Sequence, residues 1–318
     1  MMTVLVTGPT GFLGRRVVHK LVEHNYEVRC LVRSPGRERI FDQVAVDVYY
    51  GDVSNAEALA SACQGIDQIV HLVGVIREGR NTTYDSVNRV GTENVVAAAQ
   101  AAGNLSQFVH ISAVGAVNDP ELPYLKSKWQ AEQSVINSGL PYTIIRPSLI
   151  FGQGDEFMNS LASLVRLFPM VPVISGGRNR LQPVWVDDLA QCIALSLSRH
   201  DLRGHTLELG GPDQLSYNQI VDIISRAMGK RRMKVHVPLW VMRMNVVLLQ
   251  LVMSRPPINS EMLKMLRVRN VAELGMVEQT FGFRPGPMEG NIDFVNNVSF
   301  RDALKINMGN MPSHIRDH

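Results

Sequence analysis

Three polar side chains in the middle of the chain have the types and spacing for proton transfer at a carbonyl or alcohol carbon. Tyr124 and Lys128 stand four residues apart, so on a helix their side chains lie one above the other. A free phenol, with a pKa of about 10, is a poor acid or base at neutral pH. A neighbouring ammonium favours the phenolate and is expected to lower the phenol into a useful range. Ser112 ends the apolar run Phe108 to Ile111 and is suited to hold a substrate oxygen beside the tyrosine. Tyr-x-x-x-Lys is common on ordinary helices, so its meaning depends on what the rest of the chain binds.

That context is supplied at the start of the sequence. Thr3-Val4-Leu5-Val6 reads as a strand, Thr7-Gly8-Pro9-Thr10-Gly11-Phe12-Leu13-Gly14 as a glycine loop, and the residues after it as an amphipathic helix with Val17, Val18, Leu21 and Val22 on one face. Gly8 lets the chain leave the strand in a tight turn, Gly11 lets backbone N–H groups approach a pyrophosphate, and Gly14 lets the helix pack against the strand. The anion then sits at a helix N-terminus. Tyr26 to Val32 reads as the second strand, followed by Arg33. A carboxylate there would bind the 2′-hydroxyl of NAD, whereas an arginine pairs with the 2′-phosphate of NADP, so NADP(H) is expected, with Arg15 as a second positive charge. Asp52 closes the third strand, where it either accepts a hydrogen bond from the adenine amino group or caps the helix Asn55 to Ala62. Further cofactor contacts are expected at or near strand ends: Val53, Leu72, Val73, Gly74, Ile111, Pro147 and Ile150.

Strand patterns recur near Val4, Val28, Val48, Ile69, Phe108 and Thr143, with helices near 12–24, 83–102 and 124–138. This alternation predicts an α/β Rossmann-type, doubly wound parallel sheet over residues 1–150. A smaller, mostly helical C-terminal lobe over 151–318 is expected to return some segments to the sheet and to cover the nicotinamide end. Its elements are helices near 157–168, 187–199 and 217–228, a turn at Pro169 to Pro172 and a strand at Val184 to Val186.

Composition limits the function classes. The chain has 318 residues, 45% hydrophobic, and a formal net charge of only +3. That balance gives no electrostatic footprint for nucleic acid. Cys30, Cys63 and Cys192 are scattered, which suggests neither disulfides nor a zinc site, and no metal is assigned. His71 and His110 read as core-wall histidines and Asp187-Asp188 as a helix cap. The glycine motif leaves no room for a signal peptide and no apolar run is long enough to span a bilayer, so a cytoplasmic protein is expected. Pro238 to Met253 is apolar and follows Lys230, Arg231, Arg232 and Lys234. It fits a core helix, a partner-facing surface or a docking element at the inner face of the membrane.

Together these residues resemble the short-chain dehydrogenase/reductase superfamily, in its atypical or extended branch. Ser112, Tyr124 and Lys128 match the family's catalytic trio. The resemblance also implies that the lysine bonds the nicotinamide ribose and that Asn88 supports the site. Later segments are similar to the dehydrogenase-like accessory subunit of respiratory complex I. They are Arg146-Pro147-Ser148-Leu149-Ile150-Phe151-Gly152, Asp155, Phe157, Gln182 to Ala190 and Phe281-Gly282-Phe283-Arg284-Pro285. That likeness implies tightly held NADPH and a respiratory-complex or membrane-surface partner, but this chain departs from the mitochondrial members in keeping the tyrosine. Several functions follow as expectations: an oxidoreductase on a small carbonyl, alcohol or quinone; a non-catalytic assembly factor with NADPH as structural ligand; a redox sensor; or a sugar-nucleotide epimerase or dehydratase.

Overall fold

The computed structural model describes residues 1–79, 82–238, 240–242, 244, 264 and 268–316. The chain divides into two compact units, the first formed by residues 1–147 with 187–209 and the second by 148–186 with 210–318. The expected division near residue 150 is thus crossed by the return of 187–209 to the first unit.

The first unit is built on a seven-stranded, all-parallel sheet. Strands β1 (Thr3–Thr7), β2 (Glu27–Val32), β3 (Val46–Tyr50), β4 (Gln68–His71), β5 (Gln107–Ile111) and β6 (Tyr142–Pro147) are joined by a later strand, His205–Leu209. Their spatial order is β3-β2-β1-β4-β5-β6, with His205–Leu209 on the far edge beside β6. Every residue of β4 and β5 is buried, as expected for central strands of a parallel sheet covered on both faces. The order reverses between β1 and β4, so the segments following those two strands diverge there and leave room for a ligand.

Helices α1 (Phe12–Glu23), α2 (Ala56–Cys63), α3 (Gly91–Ala102) and α4 (Pro123–Ile136) carry the crossovers. Leu5, Leu59, Ile69, Val95, Phe108 and Ile144 pack into one core cluster. The predicted continuous helix over 83–102 is in fact two: a wide π-helix, Asp85–Val90, runs directly into α3. Such wide turns are inserted where a side chain must be re-aimed, and this one carries Asn88. Asp187 and Asp188 lie in the first turn of the helix Val186–Ser196, where negative charge favours the helix N-terminus. Asp187 also pairs with Arg16 of α1 at 3.5 Å. All three cysteines are buried and free, and burial pushes the Cys30 thiol up to about 12.

In the second unit Phe151, Met158, Val165, Ile220, Ile224 and Val295 form the core. Asp155 caps the helix Glu156–Leu167 by accepting from Met158 N at 2.6 Å. The Pro169 to Pro172 segment is not a turn: Met170–Ile174 is a strand, parallel to Met233–Val237. Pro172 is tolerated because this ribbon has only two strands, so a missing N–H breaks no central ladder. Among the described residues no helix is long and apolar enough to cross a membrane. Most of Pro238–Met253 lies outside the described residues.

Candidate functional site

The glycine loop turns sharply at Gly8, whose φ of 75° is a left-handed conformation that suits glycine. Gly11 donates to Gly8 O at 3.2 Å and is also the N-cap of α1, with no side chain bonding the first turn. The opening N–H groups of α1 therefore keep their capacity for an anion. A Cβ on Gly14 would lie 2.1 Å from Gly8 O, so helix and loop approach as closely as the third glycine was expected to allow. Thr10, Phe12 and Leu13 are part-exposed along the loop, and Arg15 is largely buried in the first helical turn.

Arg33 is exposed immediately after β2. Arg37, which the sequence reading did not single out, is exposed in the short helix that follows. Asp52 is half-buried and its Oδ1 accepts from Ser54 N at 3.0 Å. The cap of α2 is Asn55, whose Oδ1 accepts from Ala58 N, so the capping alternative for Asp52 does not hold. Val53 is buried and its carbonyl accepts from Asn94 Nδ2 at 2.9 Å.

Beside the glycine loop, at the same carboxyl end of the sheet, three elements converge on Gly74. Leu72 N donates to Thr7 O, and Val73 and Gly74 follow in the loop after β4. A Cβ on Gly74 would stand 3.4 Å from Asn88 Oδ1 and 3.6 Å from Lys128 Nζ. Asn88 is fully buried: its Oδ1 accepts from Val75 N at 2.8 Å, and its Nδ2 donates to Val75 O and to Ser127 Oγ. Ser127 Oγ in turn donates to Tyr124 O at 2.7 Å.

Lys128 is buried and its Nζ donates to Ile111 O at 2.5 Å. Burial pushes its ammonium down to about 8, against the opposing pull of Glu132. Glu132, one turn further along α4, is 1% exposed and grips Arg146 of β6 with two hydrogen bonds of 2.8 and 2.6 Å. Arg146 also reaches Glu208 at 3.5 Å. Ser112 is buried, its N–H bonded to Ile145 O, and its Oγ has no hydrogen-bond partner among the described residues. Pro147 O accepts from Val114 N, which fixes the strand-end segment after Ser112, while Ile150 lies in the second unit, paired with Val184.

Tyr124 keeps part of its surface open and packs edge-on against Tyr84, with ring centroids 5.6 Å apart. Tyr84 Oη donates to Ile76 O at 3.1 Å. One expectation is overturned here. Enclosure pushes the Tyr124 phenol up to about 12, where the neighbouring lysine was expected to bring it down. Removing the phenolate from water dominates.

A buried polar strut links the two ends of the site. Thr92 Oγ1 gives its hydrogen to Asn88 O at 2.6 Å, so it accepts from His71 Nε2 at 3.0 Å. His71 Nδ1 is then the acceptor for Thr7 Oγ1 at 2.6 Å. Burial holds this imidazole neutral, at about 3. His110 stacks on it, and both of its ring nitrogens are without a partner among the described residues. Of the residues sequence reasoning missed, Glu132 had a signal, since it extends the Tyr124, Lys128 stripe by another four residues. Tyr84 had none, because its contact depends on how the π-helix packs on α4. No group of metal-binding side chains occurs among the described residues.

With this geometry in place, comparison with known proteins is decisive about class. Residues 8–156 match the sequence family described as NAD(P)H-binding. The chain carries an NAD(P)H-binding Rossmann domain. It is similar to NADH dehydrogenase [ubiquinone] 1 alpha subcomplex subunit 9, mitochondrial, of Arabidopsis thaliana, with 28% identity over 69% of this chain and 56% of that one. It is also similar to the ceramide reductase of Caulobacter vibrioides, with 32% identity over 59% of this chain and 58% of that one. The matched stretch is thus under two thirds of the length of either relative. The fold is shared with UDP-glucose 4-epimerase of Thermotoga maritima, at a TM-score of 0.71, 17% identity, and coverage of 95% of this chain and 100% of that one.

Proposed function

We propose that the chain is an NADP(H)-dependent reductase of a carbonyl compound. The observation that carries this reading is the buried Lys128, held on Ile111 O beside Asn88 and one helical turn from Tyr124. The residues present fit the cofactor: an uncapped α1 N-terminus behind a loop of close-packed glycines suits a pyrophosphate, and exposed Arg33 and Arg37 suit a 2′-phosphate. When bound, the reduced nicotinamide supplies a hydride. In this assignment Ser112 Oγ donates to the substrate oxygen, which meets its unused hydrogen-bonding capacity. Tyr124 gives the proton that turns the reduced carbonyl into an alcohol, and Lys128 positions the ribose and supplies positive charge beside the phenol. A phenol near 12 stays protonated at neutral pH, so it is ready to donate and poorly placed to accept. That favours reduction over alcohol oxidation, and the reductase name of one relative supports the same direction.

The same high phenol, together with the likeness to a respiratory-complex subunit, favours a second reading in which the nucleotide is held without turnover and the domain is structural. The two part on one experiment. Purified protein is titrated with NADPH and NADH and then assayed for NADPH oxidation against aldehydes, ketones and quinones. The reductase reading expects tighter NADPH than NADH and oxidation with at least one carbonyl class. Tight NADPH with no oxidation by any of them selects the structural reading.

A further inference from the structure

The parallel ribbon of the second unit, Met170–Ile174 with Met233–Val237, turns an apolar face outward, while Lys234 and His236 share the register of Val171 and Val173 on the other. Val171 and Val173 point inward and are fully buried. On the outer face Met170 pairs with Met233 and Pro172 with Val235. Met170 is 51% exposed, Met233 70% and Val235 41%, and Phe168 just before the ribbon is 45% exposed. Trp240, shortly after it, is 66% exposed. Large apolar side chains exposed together on one ribbon face, as Met170, Met233 and Val235 are, are costly to leave in water and mark an interaction site.

The charges around it identify the occupant. Neither 168–174 nor 230–238 contains an acidic residue, and the second stretch opens with Lys230-Arg231-Arg232. Lys230 and Arg231 make no ion pair among the described residues, while Lys234 is neutralised by Asp222 at 2.6 Å. Long flexible methionines, an exposed tryptophan and adjacent unpaired cations suit a surface with a hydrocarbon interior, an interfacial layer for the indole and negative headgroups. A fixed protein partner would instead call for shaped, desolvated anchors with paired charges at the rim.

We propose that the second unit docks on an anionic lipid bilayer through the outer face of this ribbon, with Met170 and Met233 entering the headgroup boundary and Lys230 and Arg231 on the headgroups. The inference is independent of whether the first unit turns over a substrate. It is tested with the full chain by flotation with vesicles of phosphatidylcholine alone and of phosphatidylcholine mixed with phosphatidylglycerol. Binding to the mixed vesicles is expected to be about tenfold tighter or more than to the neutral ones, and to weaken with salt. M170D with M233D should reduce it at least about tenfold. R231E, at an exposed position, should reduce it severalfold and blunt the salt dependence, with thermal unfolding and NADPH affinity unchanged in each variant. Absence of binding to either vesicle, or equal binding by wild type and R231E, overturns the proposal. So does a change in self-association in M170D/M233D, measured by sedimentation, that leaves vesicle binding intact.

Discussion

The two ends of the candidate site are built on opposite principles. Around Gly8, Gly11 and Gly14 the surface is made by leaving side chains out, so that main-chain N–H groups and a helix terminus face outward. Around Ser112, Tyr124 and Lys128 it is made by packing polar side chains in, with Asn88, Glu132 and the His71 strut beneath them. At the first end a Cβ on Gly14 has no room, and the surface is main chain with no titrating group. At the second, burial moves the Tyr124 phenol up and the Lys128 ammonium down. A binding surface for a fixed anion can be rigid main chain, whereas a proton-transfer surface must be tuned by what surrounds it.

Substitutions can break each end separately. Gly14→Ala places a Cβ 2.1 Å from Gly8 O, and loop or helix must shift to admit it. It is expected to cost about 3 kcal/mol in denaturant unfolding, with loss of tight NADPH binding. Glu132→Gln removes half of a buried ion pair whose partner Arg146 keeps Glu208 and some solvent. A cost of about 2 kcal/mol is expected, below that of breaking a fully enclosed pair. The same variant tests the tuning. Lys128 carries its charge below about 8 and loses it above. Carbonyl-dependent NADPH oxidation is therefore expected to fall on the alkaline side near that value. Without the Glu132 carboxylate, which favours the ammonium, that fall should move to lower pH; an unmoved profile would give Glu132 a purely structural role. Arg33→Ala should weaken NADPH about tenfold, or ~1.4 kcal/mol, while leaving NADH unchanged in a fluorescence titration.

The contrast also explains what the sequence made legible. The glycine loop, the six early strands and helices α1, α2 and α4 follow from local periodicity and turn chemistry, and each lies within a few residues of its expected place. The strand His205–Leu209 went unnoticed because a short edge strand that opens on His205 and Thr206 and carries Glu208 has little apolar signal. Met170–Ile174 was masked by its own prolines. At the chemical end, the trio could be picked out by type and spacing, and the structure places Lys128, Asn88 and Gly74 together. What spacing could not supply was the direction of the Tyr124 shift, because a neighbour's charge is local while desolvation is set by everything packed around the ring. Tyr84, the strut through His71 and the His110 ring stacked on it belong to that same tertiary layer.

The account turns on whether Tyr124 delivers a proton to a substrate. The most direct measurement is carbonyl-dependent oxidation of NADPH by wild type and Tyr124→Phe, compared at equal NADPH occupancy. The account predicts a fall of about a hundredfold or more in turnover, with NADPH affinity and thermal stability retained. Equal turnover in the two proteins would contradict it.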